Sequence, residues 1–125
     1  MHRDGSLLEF TYPPQFKGNM LPVDNKNIAG RAAIAKRSYI SNNVREEKGF
    51  VILDWLMSMG GAPIQKMITY PVIFIGEVIA VVQVTRRGVT LSESGPNFRK
   101  EDLDKIKFLL DDLHMLHAVR AASGE

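Results

Sequence analysis

The residues of this 125-residue chain best equipped for chemistry lie toward its end. His114 and His117 are three positions apart, which on a helix puts both imidazoles on one face. Asp111 or Asp112 would supply a third ligand if that face held a metal ion such as zinc. The plainer assignment is adopted: both histidines flank an apolar stripe near a helix C-terminus, where the dipole stabilises a protonated imidazole. No metal site is assigned. The chain has no cysteine, which removes disulfides, thiolate catalysis, zinc-thiolate sites and thioether attachment of a chromophore together. No Ser/His/Asp set has interpretable spacing, and no glycine-rich loop of phosphate-cradling type is present. Glu46-Glu47 and Asp111-Asp112 are neighbours in sequence only, as on a solvated face. No catalytic residue and no cofactor are assigned, and the chain reads as a binding or signalling module rather than an enzyme.

Composition sets the class. The apolar fraction of 45% and charged fraction of 24% are those of a globular protein. A chain of this length fits one domain with one core, over residues 1–125. The longest nearly uncharged apolar stretch, Met67 to Ile75, is too short to cross a bilayer, and the first five residues turn polar at once. With no cysteine either, a cytoplasmic setting without membrane contact is expected. The formal charge is +2, carried in scattered pairs such as Lys36-Arg37, Arg86-Arg87 and Arg99-Lys100. A nucleic-acid footprint needs a basic stripe, so no nucleic-acid partner is expected.

The elements that must position any site follow from pattern. Asp4-Gly5 reads as a hairpin turn leading into a short strand at Leu7, Leu8, Phe10 and Tyr12, which Pro13-Pro14 ends. A weak strand covers Met20 to Val23. Asn27 caps a helix whose Ala29/Ala32/Ala33 face is small enough to lie close to a sheet, with Arg31, Lys36 and Arg37 on the wet side. A strand or turn at Tyr39–Ile40 precedes an exposed polar loop through Ser41-Asn42-Asn43 and Arg45 to Lys48. Phe50 to Met59 is more helical than alternating and stops at Gly60-Gly61. Ile64 to Phe74 and Glu77 to Arg86 are β-branched runs around an Ile75-Gly76 turn, the second reading as a central strand covered on both faces. After a Gly/Ser/Pro loop over 88–97, a long helix runs from about Lys100 to Ala122. Its stripe contains Leu103, Ile106, Leu110 and Leu113 at 3-4-3 spacing, which also forms a coiled-coil seam. Leu109 and Leu116 broaden it into one that packs on its own core. These four residues are the expected homodimer surface.

Three stretches in this order resemble the GAF family of small-ligand and signalling domains. They are Asn27-Ile28-Ala29-Gly30-Arg31-Ala32 with Tyr39 to Val44, Tyr70-Pro71-Val72 with Gly76 to Val84, and Phe98-Arg99-Lys100-Glu101-Asp102-Leu103. The resemblance implies an α+β fold with a central antiparallel sheet, helices packed on it and a long C-terminal helix. In the family a turn such as Asp4-Gly5 joins the first two strands. The chain is therefore expected to be N-terminally truncated relative to the family, lacking its first helix and its first strand.

The same resemblance implies where a ligand would sit, between one sheet face and the helices and loops covering it. Tyr39, Phe50, Trp55, Met59, Met67 and Gln83 are the residues it places there. The family's cyclic-nucleotide signature, Asn-Lys…Phe…Asp-Glu, becomes Thr85, Arg86, Phe98, Asp102 and Leu103, keeping only Phe and Asp. Members that bind bilins covalently or reduce methionine sulfoxide need a cysteine, so neither activity is expected. Two functions stay open: a sensory module that binds a small molecule and biases a fused or separate output domain, and a dimerisation module whose pocket is filled by its own side chains.

Overall fold

The computed structural model describes residues 1–9, 18, 20–24, 26–47 and 62–110. It is an α+β fold built on a six-stranded sheet. In chain order the strands are β1 (His2–Asp4), β2 (Leu7–Glu9), β3 (Met20–Pro22), β4 (Tyr39–Ser41), β5 (Ile64–Phe74) and β6 (Glu77–Arg87). Their order across the sheet is β3-β2-β1-β6-β5-β4, and each neighbouring pair is antiparallel. Helix α1 (Ile28–Ala35) lies on β5 and β6, and helix α2 covers 100–110.

The long hairpin is the frame. Ile75 and Gly76 both take positive φ (49° and 76°), the geometry whose twist matches that of the strands it joins. Each strand is eleven residues long, yet the ladder is not regular. Pairing starts at Phe74↔Glu77 and Ile73↔Val78, then steps to Val72↔Ala80, leaving Ile79 as a bulge on β6. It steps back between Lys66↔Arg86 and Ile64↔Arg87, leaving Gln65 as a bulge on β5. A bulge inserts one residue and so flips the alternation of faces. Val78 and Val81, three apart, therefore share a face, where they join Leu8, Ala29 and Ala33 in one core cluster. Ile64 and Met67 are brought together in the same way beneath Val44. The alternation of faces along β6 is thus broken at Ile79. Pro71 fits because β4 stops at Tyr39↔Thr69, so the donor that proline lacks faces no strand there.

Asn27 caps α1 as expected, its Oδ1 accepting from the Gly30 N–H at 2.6 Å. Ala29, Ala32 and Ala33 are at most 2% exposed, and this small face lets the helix sit on the sheet. The strand ahead of the Asp4-Gly5 turn consists of three residues. They occupy an interior position, between β2 and β6, with Gly5 at φ 58°. Met1 extends this contact: its amino group donates to the Val81 carbonyl and its carbonyl accepts from the Val81 N–H, both at 2.8 Å. Burial pushes the Met1 amine below its ordinary value. Phe10, Tyr12, the Phe50–Met59 segment with its Gly60-Gly61 stop, and the final helix beyond Leu110 lie outside the described residues.

Candidate functional site

The β4–β5–β6 register collects the polar groups of one sheet face. Tyr39 is opposite Thr69, Ser41 opposite Met67, and Thr69 opposite Gln83. Cross-strand partners share a face, so these five side chains stand side by side. The Gln83 amide nitrogen donates to Thr69 Oγ1 at 3.1 Å and approaches Met67 Sδ at 3.2 Å. Thr69 is 1% exposed, so its hydroxyl needs such a partner. Ser41 Oγ donates to Glu47 Oε1 at 2.7 Å, so Glu47, exposed as its sequence reading has it, also sets one carboxylate oxygen at the site.

A cavity of about 40 Å3 opens here, walled by Ile28, Tyr39, Ser41, Glu47, Met67 and Thr69. That is room for on the order of one to three water molecules. Of the six residues expected at a pocket, Tyr39, Met67 and Gln83 are brought together. Phe50, Trp55 and Met59 lie outside the described residues. Thr69, Ser41 and Glu47 are additions. Thr69 follows from the register, but only once the Ile79 bulge is known, because an unbroken hairpin would set Ile68 opposite Gln83.

The residues at the cyclic-nucleotide positions are engaged structurally. The Arg86 guanidinium sits 4.2 Å from the centre of the Phe98 ring and donates to the Pro96 carbonyl. Asp102 Oδ2 accepts from the Arg99 N–H at 2.8 Å, a reach-back that closes the first turn of α2. Phe98 is fixed from its backbone as well: its N–H donates to Asn42 Oδ1 (2.7 Å) and its carbonyl accepts from Asn42 Nδ2 (3.1 Å). Asn42, read from sequence as part of an exposed loop, is thus half-buried and tied to the head of α2. Val44, in the same polar stretch, is fully buried.

Along α2, Leu110 is buried and Leu103 and Ile106 are half-buried, so this side of the helix packs on its own chain. Phe108 and Leu109 are 73% and 66% exposed. Leu113, His114 and His117 lie outside the described residues. Among the described residues no group of three metal-ligating side chains occurs, and no helix is long and apolar enough to cross a membrane.

No family model matches the sequence, and no curated protein matches it. Solved structures do match the fold. One is the GAF domain of a phosphoenolpyruvate-protein phosphotransferase from Acinetobacter, at TM-score 0.63 and 15% identity over 90% of this chain and 60% of that one. A second is the GAF domain of the corresponding protein from Coxiella burnetii, at TM-score 0.65 and 16% identity over 85% and 57%. A third is a type II free methionine-R-sulfoxide reductase from Thermoplasma acidophilum, at TM-score 0.55 and 15% identity over 88% and 73%. The chain spans about three fifths of the length of the first two. At these identities the likeness is one of fold, and the fold is GAF-like.

Proposed function

We propose that this chain is a regulatory domain that senses a small molecule at the sheet face carrying Gln83, Thr69 and Met67, and passes the bound state to an output domain, fused or separate, in the cytoplasm. The observation that carries the reading is the Gln83 amide. It is half-buried between apolar Met67 and the hydroxyl of Thr69, and among the described residues its oxygen accepts no hydrogen bond. A few oriented polar groups in an apolar surround suit a small organic ligand. Thiol chemistry of any kind is closed to a chain without cysteine, so the likeness to a methionine sulfoxide reductase is not extended to activity. The test is a thermal-shift screen with metabolite mixtures. A ligand at 100 times its dissociation constant adds about 2.7 kcal/mol. A hit that survives in Gln83→Ala, or a broad library without any shift, sinks the proposal.

Two observations favour the second reading, a pairing module without ligand. The cavity is small, and α2 exposes Phe108 and Leu109 beside the half-buried Leu103 and Ile106. In that reading two copies pair through α2, and Phe108→Glu weakens association. Sedimentation of the unsubstituted chain as a monomer at high concentration removes it.

A further inference from the structure

We propose that the cavity between Glu47 and Thr69 takes a small primary ammonium carrying an oxygen acceptor two carbons away, ethanolamine being the simplest such molecule. The proposal rests on the sensing reading and names the ligand class for that site. Three polar side chains stand in the wall: Ser41, Glu47 and Thr69. Ser41 and Thr69 are 6% and 1% exposed, whereas Glu47 is exposed. The wall therefore has a wet end at the carboxylate and a dry end at the threonine hydroxyl, with Ile28 and Met67 bordering the space between them.

Charge selects the first group. Among the described residues the wall carries the formal negative charge of Glu47 and no positive one. Ser41 Oγ donates to Glu47 Oε1 and so fixes where that oxygen stands. A cationic donor is its complement, because a charge-assisted hydrogen bond is about twice as strong as a neutral one. A guanidinium fork wants both carboxylate oxygens, and one is already turned to Ser41. A divalent metal wants several oxygen ligands, and among the described residues no group of three metal-ligating side chains occurs. A carboxylate on the ligand would meet the Glu47 charge with no cation in the described wall to hold it, so the class is an amine and not an amino acid.

Thr69 selects the second group. Its Oγ1 accepts from the Gln83 amide at 3.1 Å, and among the described residues nothing accepts its own O–H. A buried donor left without an acceptor is costly, so a ligand oxygen has a place there. The register sets the spacing. Tyr39 pairs with Thr69 and Ser41 with Met67, which makes Ser41 and Thr69 diagonal neighbours on one face, roughly 7–8 Å apart. An N–C–C–O chain with a hydrogen bond at each end spans on the order of 8 Å. The ammonium stays at the wet end, where desolvation costs least, and the oxygen enters the dry end. The cavity volume of about 40 Å3 suits so short a chain.

The experiment titrates ethanolamine into the full chain at neutral pH and constant ionic strength, followed by NMR at the Ser41, Met67 and Thr69 amides. The ceiling on affinity for so small a ligand is a dissociation constant of about 40 μM, so the titration runs to about 20 mM. Saturable shifts at those amides are expected. Propylamine, which keeps the ammonium and lacks the oxygen, binds about fivefold more weakly. L-Serine, which adds a carboxylate, gives no saturable shift. Glu47→Gln, at an exposed position that the fold does not depend on, weakens ethanolamine about tenfold. Ethylene glycol binding as tightly as ethanolamine, or ethanolamine binding unchanged in E47Q, overturns the ammonium. Propylamine binding as tightly overturns the oxygen acceptor, and L-serine binding as tightly overturns the exclusion of amino acids. No saturable shift with ethanolamine overturns the proposal outright. The sensing reading then survives alone if a metabolite hit is lost in Gln83→Ala, and falls with it if the metabolite library is silent too.

Discussion

Lys66 and Arg86 stand directly opposite each other across the β5–β6 ladder, two cations on one face, and each donates to one of two adjacent carbonyls in the 88–98 loop. Lys66 is only 4% exposed, and its Nζ reaches the Gly95 carbonyl at 2.6 Å. Arg86 takes the next carbonyl, that of Pro96, and stacks on Phe98. Like charges directly opposed on a sheet destabilise it, so the loop carbonyls offset a repulsion that the strands create.

That arrangement fixes the sign of a coupling. Arg86→Met removes the stacking and the bond to Pro96, about 1–2 kcal/mol, but it also relieves Lys66. In a Lys66→Met background no repulsion remains to be relieved, so the same change costs more. A double-mutant cycle by urea denaturation measures this. An equal or smaller cost in the double background disproves the repulsion.

Ile75 is a β-branched residue at φ 49° with 86% of its surface in water. Its side chain gains little from packing, and L-residues cost roughly 1–2 kcal/mol in this region. Asn-Gly is the favoured pair for such a turn. Ile75→Asn is expected to raise stability by about 1 kcal/mol, seen as a higher urea midpoint at unchanged slope. A lower midpoint shows that Ile75 has a role beyond the turn.

Gly88 is held by close approach rather than by its φ. A Cβ there would lie 2.6 Å from the Ser94 nitrogen and 2.9 Å from the Glu93 carbonyl carbon, both backbone atoms. Its carbonyl also accepts from the buried Gln65 amide at 3.0 Å. Gly88→Ala therefore has to displace the loop that holds Lys66 and Arg86, at a cost of about 1–3 kcal/mol. NMR shift changes at Gly95 and Phe98 are expected with it, and a silent spectrum contradicts the close approach.

The buried Met1 amine predicts a pH slope. Its folded value lies below the ordinary 8.0, so between the two values the unfolded chain binds more protons than the folded one. Stability from this group therefore rises as pH climbs through the folded value toward 8.0, and is level above it. Acetylating the amine removes this part of the slope. The difference between acetylated and free chains, measured by urea denaturation at neutral pH and at pH above 8, is the readout. A difference that does not change with pH excludes the amine as its source.

Much of the frame was legible because local chemistry decides it. The Asn27 cap, the Ala29/Ala32/Ala33 face, the Asp4-Gly5 turn and the Ile75-Gly76 hairpin each follow from one or two residues whose conformational preferences are strong. The site was legible in part. The family resemblance places Gln83 at the site, but its partner Thr69 is not legible, because the bulge at Ile79 moves the pairing by one residue and no residue type announces it. Asn42 and Val44 were hidden for a different reason. A polar stretch reads as solvent-facing, yet here one amide bonds a distant backbone and one valine fills the space under β5.

The Asn42 clamp has a mechanical consequence. Ser41 forms part of the cavity wall, and the residue after it grips Phe98 at the head of α2 by two hydrogen bonds. A single peptide link thus joins the wall to the helix that exposes Phe108 and Leu109. A displacement of Ser41 is expected to be felt first at Phe98, because the two are joined through Asn42 rather than through the packed core.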